Sequence, residues 1–430
     1  MFDRYFELSK NHTTIRIEVL AGITTFLTMA YIIFVNPTVL SSTGMDKGAV
    51  FVATCLAAAF GSAMMGLLAN YPIALAPGMG LNAYFTYSVV LGGGYTWQVA
   101  LGAVFISGIL FLILSIFPIR EYIINSIPTS LKVAIVAGIG LFLGIIGFKT
   151  AGIIAAHPVT FVTLGNLHNP TTLLAILGFF LIIALEKFEI TGAIIISILV
   201  ITGLSILLGY TKLQGIFSLP PSILPTLWKM DFQGVLNFGM ISIVLAFLFV
   251  DFFDNTGTLI AIAVKAKLMD KGGKLPRLNR ALLADSAGVL VGATLGTSPT
   301  TSYIESAVGV KAGGRTGLTA VVVAILFLLA LFFSPLAASI PSYATAPTLI
   351  YISCLMSRAF IDFDWQDITE YVPGLITVIA MPLTYSIAEG ISFGFISYTV
   401  IKLITGRYRD LNLPMIVLAA CFVMKYVYLK

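Results

Sequence analysis

The fold is decided by two interrupted segments, Ala76-Pro77-Gly78-Met79-Gly80-Leu81-Asn82 and Ser298-Pro299-Thr300-Thr301-Ser302-Tyr303-Ile304-Glu305. Each lies inside a long apolar run, and its proline and the glycines nearby make a continuous helix unfavourable. The second segment occupies a position in the second half of the chain that corresponds to the first. Paired interruptions of this kind indicate a binding site near the middle of a membrane.

The composition identifies a polytopic membrane protein. Of the 430 residues, 58% are hydrophobic and 10% are charged, and the mean hydropathy is +1.01. Soluble domains carry about 25% charged residues. The composition therefore excludes a soluble enzyme, a disordered chain and a nucleic-acid-binding domain. The three cysteines have no CxxC spacing, so they predict neither a disulfide framework nor a zinc site.

The uncharged runs predict fourteen spans, since a crossing takes about 20 mostly apolar residues. The first seven are expected near 17–40, 49–69, 73–90, 97–117, 128–148, 171–186 and 190–209. The second seven are expected near 235–262, 281–296, 300–311, 317–334, 343–358, 371–388 and 391–406. A further apolar stretch, Leu413–Leu429, is either a short span or a helix on the membrane face.

Basic residues predict the orientation of the spans. The segment Lys265–Arg280 holds six basic residues against one acidic residue, so we expect it on the cytoplasmic side. An even number of crossings then places further groups on the same side. These are the N-terminus, Arg120, Lys311, Arg315, Arg407 and Arg409.

The two halves resemble each other weakly, and seven spans per half would invert the second copy relative to the first. We expect Tyr71–Pro77 and Gly296–Pro299 to be extended. Unpaired backbone in hydrocarbon costs several kcal/mol per group, so these segments should pair with each other as short strands or line a wet cavity. Each would start a half-helix just after its proline, with Asn82 and Glu305 one turn into their half-helices. The predicted fold is an all-α membrane protein of two inverted seven-span repeats, with two short antiparallel strands leading into half-helices in spans 3 and 10. The alternative is a pair of kinked spans.

Three acidic residues, Glu305, Asp251 and Asp254, lie deep in apolar runs. Each acid at mid-bilayer costs about 2.5–3.5 kcal/mol even on lenient scales, so we expect them to face a wet cavity, bind substrate and exchange protons. Asp251 and Asp254 are three residues apart and share a helix face. A structural role for Asp251, in hydrogen bonds to the broken helices, is the alternative. Asp285, five residues after Arg280, is expected at the membrane interface.

The starts of the half-helices supply the other candidates for substrate binding, because free N–H groups there attract acceptors. With Asn82 and Glu305, the candidates are Gly78, Met79, Gly80, Thr300, Thr301 and Ser302. The chain has no His-Glu-x-x-His, Gly-x-Ser-x-Gly or P-loop motif. An enzyme, a metal site and an ATP-driven pump are therefore not indicated.

Four motifs carry a specific resemblance. They are Thr24–Tyr31 followed by Phe34-Val35-Asn36-Pro37, then Ala76–Phe85, Val250–Thr258 and Leu295–Ser306. In order and over nearly the whole chain, they resemble the AzgA-type purine permeases of the nucleobase/ascorbate transporter superfamily. The resemblance is strongest to the guanine/hypoxanthine permeases of Gram-positive bacteria. Ser298-Pro299 departs from the Thr-Ser that relatives often have, which affects the expected strand geometry.

The resemblance implies a core domain and a gate domain. Spans 1–4 (residues 1–118) and 8–11 (235–335) would form the core, and spans 5–7 (119–210) and 12–14 (336–430) the gate. It implies proton-coupled symport of a nucleobase across the bacterial cytoplasmic membrane, with the proton as coupling ion and no cofactor. The implied partners are a purine nucleobase and membrane lipid, without nucleic acid, and a homodimer is left open.

The resemblance also assigns roles to Asn82, Glu305 and the pair Asp251 and Asp254. Asp254 is the better match to the base-binding acid of span 8, and Asp251 is the second candidate, for proton coupling. An ionised Glu305 would accept the N1–H of guanine or hypoxanthine, which favours these bases over adenine. A protonated Glu305 would reverse that preference, so an adenine permease is an alternative. An anion transporter of similar architecture is another.

Overall fold

The structure is a computed structural model that describes residues 2–116, 127–235, 238–266, 268 and 275–428. Arg120 lies outside these ranges. For some residues within them, only the backbone is described. These are Phe2, Arg4, Phe238, Gly239, Phe253, Asp254, Thr256, Gly257, Ile260, Ala261, Val264, Lys425 and Tyr428.

The first half is helical apart from three short strands. Its helices are α1 (Phe2–Phe6), α2 (Ile15–Met29), α3 (Ile32–Leu40), α4 (Lys47–Met64), α5 (Met79–Ala83), α6 (Trp97–Ile116), α7 (Thr129–Thr150), α8 (Pro170–Lys187) and α9 (Ala193–Leu207). Strand β1 (Leu75–Pro77) precedes α5, which continues as a π-helix over Tyr84–Gly92. An antiparallel hairpin of β2 (Ile154–His157) and β3 (Phe161–Leu164) follows α7, where the sequence predicted only a loop.

The second half repeats this plan. Its helices are α10 (Phe232–Val235), α11 (Phe238–Lys265), α12 (Leu278–Leu295), α13 (Ser306–Lys311), α14 (Gly317–Ala330), α15 (Ser334–Ser339), α16 (Ser342–Met356), α17 (Ile368–Thr384), α18 (Ile387–Ile404) and α19 (Leu413–Tyr428). Strand β4 (Thr300–Ser302) lies between α12 and α13.

The predicted spans correspond to these elements. Among the described residues, eight helical stretches are long and apolar enough to cross a membrane, and α9, α11, α17 and α19 contain shorter apolar helices. With α19 left aside as the further apolar stretch of the sequence, helix α12 and the two interrupted segments, β1–α5 and β4–α13, complete fourteen. Because spans 3 and 10 are interrupted, neither contains a helix of full membrane length.

Short polar side chains fix where several helices begin. Asp46, Asn169, Thr316, Asp367 and Ser386 each precede a helix and accept a hydrogen bond from a backbone N–H of its first turn. These N-caps satisfy donors that the helix itself cannot use. The turn between spans 13 and 14 therefore lies at Tyr385 and Ser386. The sequence placed it around Glu389, which instead lies in the first turn of α18.

Span 1 is interrupted as well, which the sequence did not predict. The expected helix over 17–40 is divided at Ala30 and Tyr31 into α2 and α3. Both residues are buried, with Ala30 and Tyr31 each 1% exposed. The backbone stays hydrogen-bonded through this point, since the N–H of Ile33 donates to the Ala30 carbonyl at 3.1 Å and that of Phe34 to the Tyr31 carbonyl at 3.0 Å.

The helices pack as two groups. In the first group, α4 packs on α3, α12 and α14, and α6 packs on α11 and α12. In the second, α7 packs on α16 and α17, α8 packs on α9 and α16, and α18 packs on α17. Helix α11 packs on α6 and also touches α7 and α18, so it lies where the two groups meet.

The C-terminal helix α19 runs antiparallel along α18. Its residue Phe422 packs on Phe395 with ring centroids 5.9 Å apart, and the Tyr426 hydroxyl hydrogen-bonds the Glu389 carboxylate near the start of α18. The contact at Glu389 means that α19 accompanies α18 over most of its length. The packing explains why Phe422 is buried although the neighbouring Val423 is exposed.

The N-terminal segment contacts one end of the first group. Arg277 forms an ion pair with Glu7 at 3.3 Å, and the Asn70 amide donates to the Phe6 carbonyl at 2.9 Å. The backbone N–H of Arg315 donates to Glu18 at 2.9 Å. The N-terminus, Arg277 and Arg315 therefore lie at the same end of the molecule, and the side of the membrane on which this end lies stays a prediction.

Candidate functional site

The two interrupted segments meet as an antiparallel strand pair. Strand β1 pairs with β4 in the register Leu75 with Ser302, Ala76 with Thr301 and Pro77 with Thr300. Flanking bonds extend the pair, since the Gly78 N–H donates to the Pro299 carbonyl at 3.0 Å and the Tyr303 N–H donates to the Ala74 carbonyl at 2.9 Å. The predicted pairing of the two segments is therefore confirmed.

The position of the second strand differs from the sequence prediction. Extended chain was expected over Gly296–Pro299, with a half-helix directly after the proline. The strand instead begins at Thr300, and the half-helix α13 begins at Ser306. Pro299 has no N–H to give to a ladder, and it lies just before the strand, where its carbonyl accepts from Gly78. Glu305 consequently lies at the N-cap position of α13 and not one turn into it.

A buried polar network joins the two segments to span 1. The Asn36 amide donates to Thr54 at 2.7 Å and to Thr297 at 2.8 Å. The Ser298 hydroxyl donates to the side-chain oxygen of Asn82, which is fully buried. Asn82 lies one turn into the first half-helix, as predicted. Its side chain connects that half-helix to the segment before β4, because a buried amide must have hydrogen-bond partners.

The carboxylate of Glu305 meets the interruption in span 1. The Tyr31 hydroxyl donates to Glu305 Oε1 at 2.6 Å. Glu305 is partly exposed, whereas Tyr31 is 1% exposed. The distance is that of a strong O–H···O hydrogen bond. A carboxylate from the second half is thus held by a phenol from the first.

Helix α11 carries the other acids and runs beside both half-helices. It packs against β4, α5 and α13. Asp251 is 3% exposed, so it is buried in this region. The side chain of Asp254 lies outside the described residues, so its predicted approach to Glu305 stays a prediction. The neighbouring Asn255 is fully buried, and its amide finds no partner in the described part of the chain.

The three strand residues predicted to bind substrate point in different directions. Side chains of cross-strand partners share a face, so Thr300 and Ser302 lie on one face of the pair and Thr301 on the other. A Cβ at Gly288 of α12 would lie 2.6 Å from Thr300 Oγ1, so Thr300 faces α12. All three hydroxyls are buried, and none has a hydrogen-bond partner among the described residues.

The glycines of the first half-helix allow close approaches. A Cβ at Gly78 would lie 2.6 Å from Thr301 Cγ2, and one at Gly80 would lie 2.7 Å from Ile139 Cγ2 of α7. The Gly78 N–H is used in the strand pair, so it is not available to a ligand. Met79 is 8% exposed and contacts the Asn82 amide through its sulfur at 3.9 Å.

Several residues of this region were missed from the sequence. Tyr31, Asn36 and Ser298 lie within motifs that carried the resemblance, but no site role was assigned to them. Asp285, expected at the membrane interface, is fully buried in α12. The prediction was wrong because the separation of five residues between Arg280 and Asp285 in the sequence does not show how deeply Asp285 is buried in the fold. Among the described residues, no group of three or more His, Cys, Asp or Glu side chains could hold a metal ion.

A comparison with known protein families identifies the family of this chain. A family model described as "Permease family" matches residues 16–393. The chain belongs to this family. Its members are transporters and not enzymes, and the resemblance to nucleobase permeases stated from the motifs is confirmed.

Relatives in this permease family match over the full chain. The chain is 54% identical to MJ0326 of Methanocaldococcus jannaschii, covering 100% of this chain and 98% of the relative. It is 51% identical to the adenine permease AdeP of Escherichia coli, and the match covers 100% of this chain and 96% of AdeP. It is 45% identical to the guanine/hypoxanthine permease PbuG of Bacillus subtilis, covering 99% of each.

Solved structures of transporters share the fold of this permease. The transmembrane domain of the cyanobacterial bicarbonate transporter BicA has a TM-score of 0.63 at 16% identity, covering 88% of this chain and 97% of that chain. SLC26A9 has a TM-score of 0.66 at 11% identity, and the match covers 91% of this chain and 66% of the SLC26A9 chain. At these identities the likeness shows the fold alone, and it confirms the predicted class of two inverted seven-span repeats.

Proposed function

We propose that this permease takes up a purine nucleobase together with a proton by alternating access. The observation that carries the proposal is the position of Glu305. Its carboxylate lies directly after the strand pair that joins the two halves, and α11 with its acids runs alongside. Broken segments of two inverted repeats are where transporters of this architecture place their substrate. Asp254, Asn82, Met79, Gly80, Thr300, Thr301 and Ser302 remain the other proposed binding residues, and Gly78 shapes the site without donating its N–H, which the strand pair uses.

The chemistry of Glu305 supports a base with an N–H on its edge. Tyr31 engages Oε1, so we assign Oε2 to the N1–H of guanine or hypoxanthine. A hydrogen bond to a charged group contributes about 1.5–3 kcal/mol. The N1 atom of adenine is an acceptor, and it would leave the carboxylate without a donor at this edge. This argument makes guanine and hypoxanthine the first candidates.

Adenine is the second candidate, and a different observation favours it. Identity to the adenine permeases AdeP and AdeQ of Escherichia coli is 51% and 46%, against 45% and 44% for the guanine/hypoxanthine permeases PbuG and PbuO of Bacillus subtilis. An uncharged Glu305 would donate to N1 of adenine. The choice of base thus depends on the protonation state of Glu305 when the substrate binds.

Proton coupling needs a second acid, for which we propose Asp254 or Asp251 of α11. Protonation of one carboxylate together with base entry would let the loaded site move without a buried net charge, which is costly in an apolar medium. Asp254 is the proposed base-binding acid of the pair. Asp251, which is buried, is the proposed proton carrier.

The proposed movement is a displacement of the core, residues 1–118 and 235–335, against the gate, residues 119–210 and 336–430. Three contacts cross from the proposed core to the proposed gate, and the displacement would have to break them or slide past them. Gly80 meets Ile139, the Ser88 hydroxyl donates to the Tyr385 carbonyl at 3.0 Å, and Lys311 pairs with Glu189 at 3.1 Å. A hydrogen bond and an exposed ion pair can be exchanged for hydrogen bonds to water at low cost in free energy.

We place the protein in the cytoplasmic membrane with its N-terminus in the cytoplasm. A homodimer is the assembly to test by cross-linking.

Competition between bases tests the proposal most directly. In cells lacking purine carriers, uptake of labelled guanine and labelled adenine is measured with unlabelled guanine, hypoxanthine, adenine, xanthine and uracil as competitors. We expect saturable uptake that acidic medium stimulates and that Glu305→Gln or Asp254→Asn abolishes. Asp364→Asn, in an exposed loop, is the matched control and should transport normally. Acid-stimulated uptake that persists in both site variants would reject these assignments.

An anion transporter is the remaining candidate, favoured only by the fold shared with BicA and SLC26A9. The acidic side chain at the half-helix argues against it, because an anion site would place a basic residue there. Anion flux in proteoliposomes that survives Glu305→Gln, without purine uptake, would support this reading.

A further inference from the structure

Tyr31 and Glu305 approach each other from opposite halves of the chain. The phenol lies at the interruption between α2 and α3, where it is 1% exposed, and it donates to Glu305 Oε1 at 2.6 Å. Its ring also lies 6.4 Å from the ring of Tyr303, which follows strand β4. The buried surroundings fix the position of the phenolic oxygen.

Glu305 has little support from its own helix. It occupies the N-cap position of α13, yet its side chain makes no capping bond within the described residues. Glutamate is a poor N-cap compared with aspartate or serine, and its three side-chain torsions must be fixed by other contacts. The carboxylate is contacted by the backbone N–H of Glu305 itself and by the Tyr31 hydroxyl. Tyr31 is therefore the partner from outside α13 that can set its orientation.

We propose that Tyr31 is a positioning residue that orients the Glu305 carboxylate for the purine base. The inference rests on the proposed function and extends it to span 1. By holding Oε1, the phenol directs Oε2 to the N–H of the base, and a carboxylate held in advance binds without having to be ordered by the ligand. Tyr31 lies where span 1 passes from α2 to α3, and its backbone keeps right-handed helical torsion angles there. Its side chain reaches Glu305, three residues after strand β4, from this position in span 1.

The role of Tyr31 differs from that of Tyr303. Tyr303 donates to the backbone carbonyl of Pro77 at 2.6 Å and thereby ties the two strands together. Tyr31 donates to a side chain that is itself proposed to touch the base. Loss of the Tyr31 hydroxyl should therefore change base affinity, whereas loss of the Tyr303 hydroxyl should change stability.

The test is a double-mutant cycle of Tyr31→Phe and Glu305→Gln in the purified full-length protein, with uptake kinetics in parallel. We expect Tyr31→Phe to raise KM and the dissociation constant of the transported base about tenfold. The maximal rate per transporter and the unfolding temperature should stay close to those of the wild type. In the Glu305→Gln background, Tyr31→Phe should have no further effect, because residues that act as a unit are not additive.

Tyr398→Phe is the matched control. Tyr398 also donates its phenol to a carboxylate, Glu370, at 3.0 Å, but within the second group of helices. Its loss should leave KM unchanged. Unchanged KM in Tyr31→Phe, or a fall only in maximal rate and unfolding temperature, would overturn the positioning role. If Glu305→Gln binds too weakly for the cycle, the KM of Tyr31→Phe alone decides. If the wild type takes up no purine, the proposed function fails first and this inference fails with it.

Discussion

The hydroxyl of Tyr303 donates a hydrogen bond to the carbonyl oxygen of Pro77 across 2.6 Å, although 226 residues separate them in the chain. Together with the strand register, this bond ties the interrupted segment of one repeat to that of the other. The geometry of the proposed site therefore depends on contacts between the repeats and not on either one alone.

Removal of this bond should destabilise the protein. Tyr303→Phe leaves the buried carbonyl of Pro77 without the phenol, which costs about 1–3 kcal/mol. Thermal unfolding of the detergent-purified protein should show a lower midpoint. Tyr408→Phe serves as the control, because Tyr408 is 66% exposed. Equal midpoints for the two variants would contradict the structural role of Tyr303.

A methyl group at Gly80 should impede transport. In Gly80→Ala the new Cβ would lie 2.7 Å from Ile139 Cγ2, so it would wedge between the two groups of helices. We expect uptake to fall several-fold while the amount of folded protein stays normal, since the Ile139 side chain can shift. The double variant Gly80→Ala with Ile139→Ala should recover uptake.

Gly203→Ala is the matched control for this wedge, because nothing lies within 4 Å of the added Cβ in α9. It should transport at the wild-type rate. Failure of Ile139→Ala to restore uptake would show that the defect of Gly80→Ala has another origin.

Two lysines that form ion pairs should differ strongly in their effect on stability. Lys402 is 1% exposed and pairs with Glu370 at 2.6 Å and Asp410 at 3.1 Å. Removal of one partner from a fully buried pair typically costs about 3–5 kcal/mol. The carboxylates of Glu370 and Asp410 that Lys402→Met leaves behind are 21% and 47% exposed, so we expect a smaller but clear loss of stability. Lys311 and Glu189 are 74% and 79% exposed. Exposed pairs contribute about 0–1 kcal/mol, so Lys311→Met should unfold like the wild type, and a comparable loss in both variants would refute this contrast.

Acid should weaken one contact at the start of α17. A hydrogen bond from the Arg407 guanidinium, and a second one from the Thr369 hydroxyl, lower the pKa of Asp367 from 3.8 to about 2. A lowered pKa means that the pair stabilises the fold above about pH 3.8 and that this stabilisation is lost as the pH falls toward 2. Unfolding temperatures of Arg407→Gln and wild type should therefore differ at pH 7 and converge near pH 2.

High salt should reduce the same difference at pH 7, because the pair is partly exposed. Arg409→Gln, on the same turn, is the control. A difference between wild type and Arg407→Gln that is constant from pH 7 to pH 2 would exclude the ion pair as its cause.

The sequence predicted features that involve glycine, proline or charge. Pro77 and Pro299 located the interrupted segments, and the cost of unpaired backbone in hydrocarbon predicted their pairing. The strand register could not be predicted in this way. A proline cannot donate a hydrogen bond to a strand pair, but this does not show whether the strand lies before or after the proline. This is why the strand was expected over Gly296–Pro299, although it begins at Thr300, and why Glu305 was placed one turn too deep.

Features formed by ordinary helix residues were not predictable. Ala30 and Tyr31 carry no local signal for an interruption, and the break is supported by tertiary contacts such as the bond to Glu305. The burial of Asp285 was missed for a similar reason, because packing around a helix is not encoded in its own spacing. The hairpin of β2 and β3 was missed because its strands are exposed and lack an alternating apolar pattern.

The pairing of β1 with β4 also constrains how the chain is made. The ribosome releases Leu75–Pro77 long before Thr300–Ser302, and at about 5–20 residues per second the first strand must wait for roughly 10–45 seconds. During that time its N–H and C=O groups have no strand partner, and lipid cannot hydrogen-bond them. The insertion machinery or trapped water must shelter this stretch, so biogenesis of the transporter is most vulnerable between the synthesis of its two repeats.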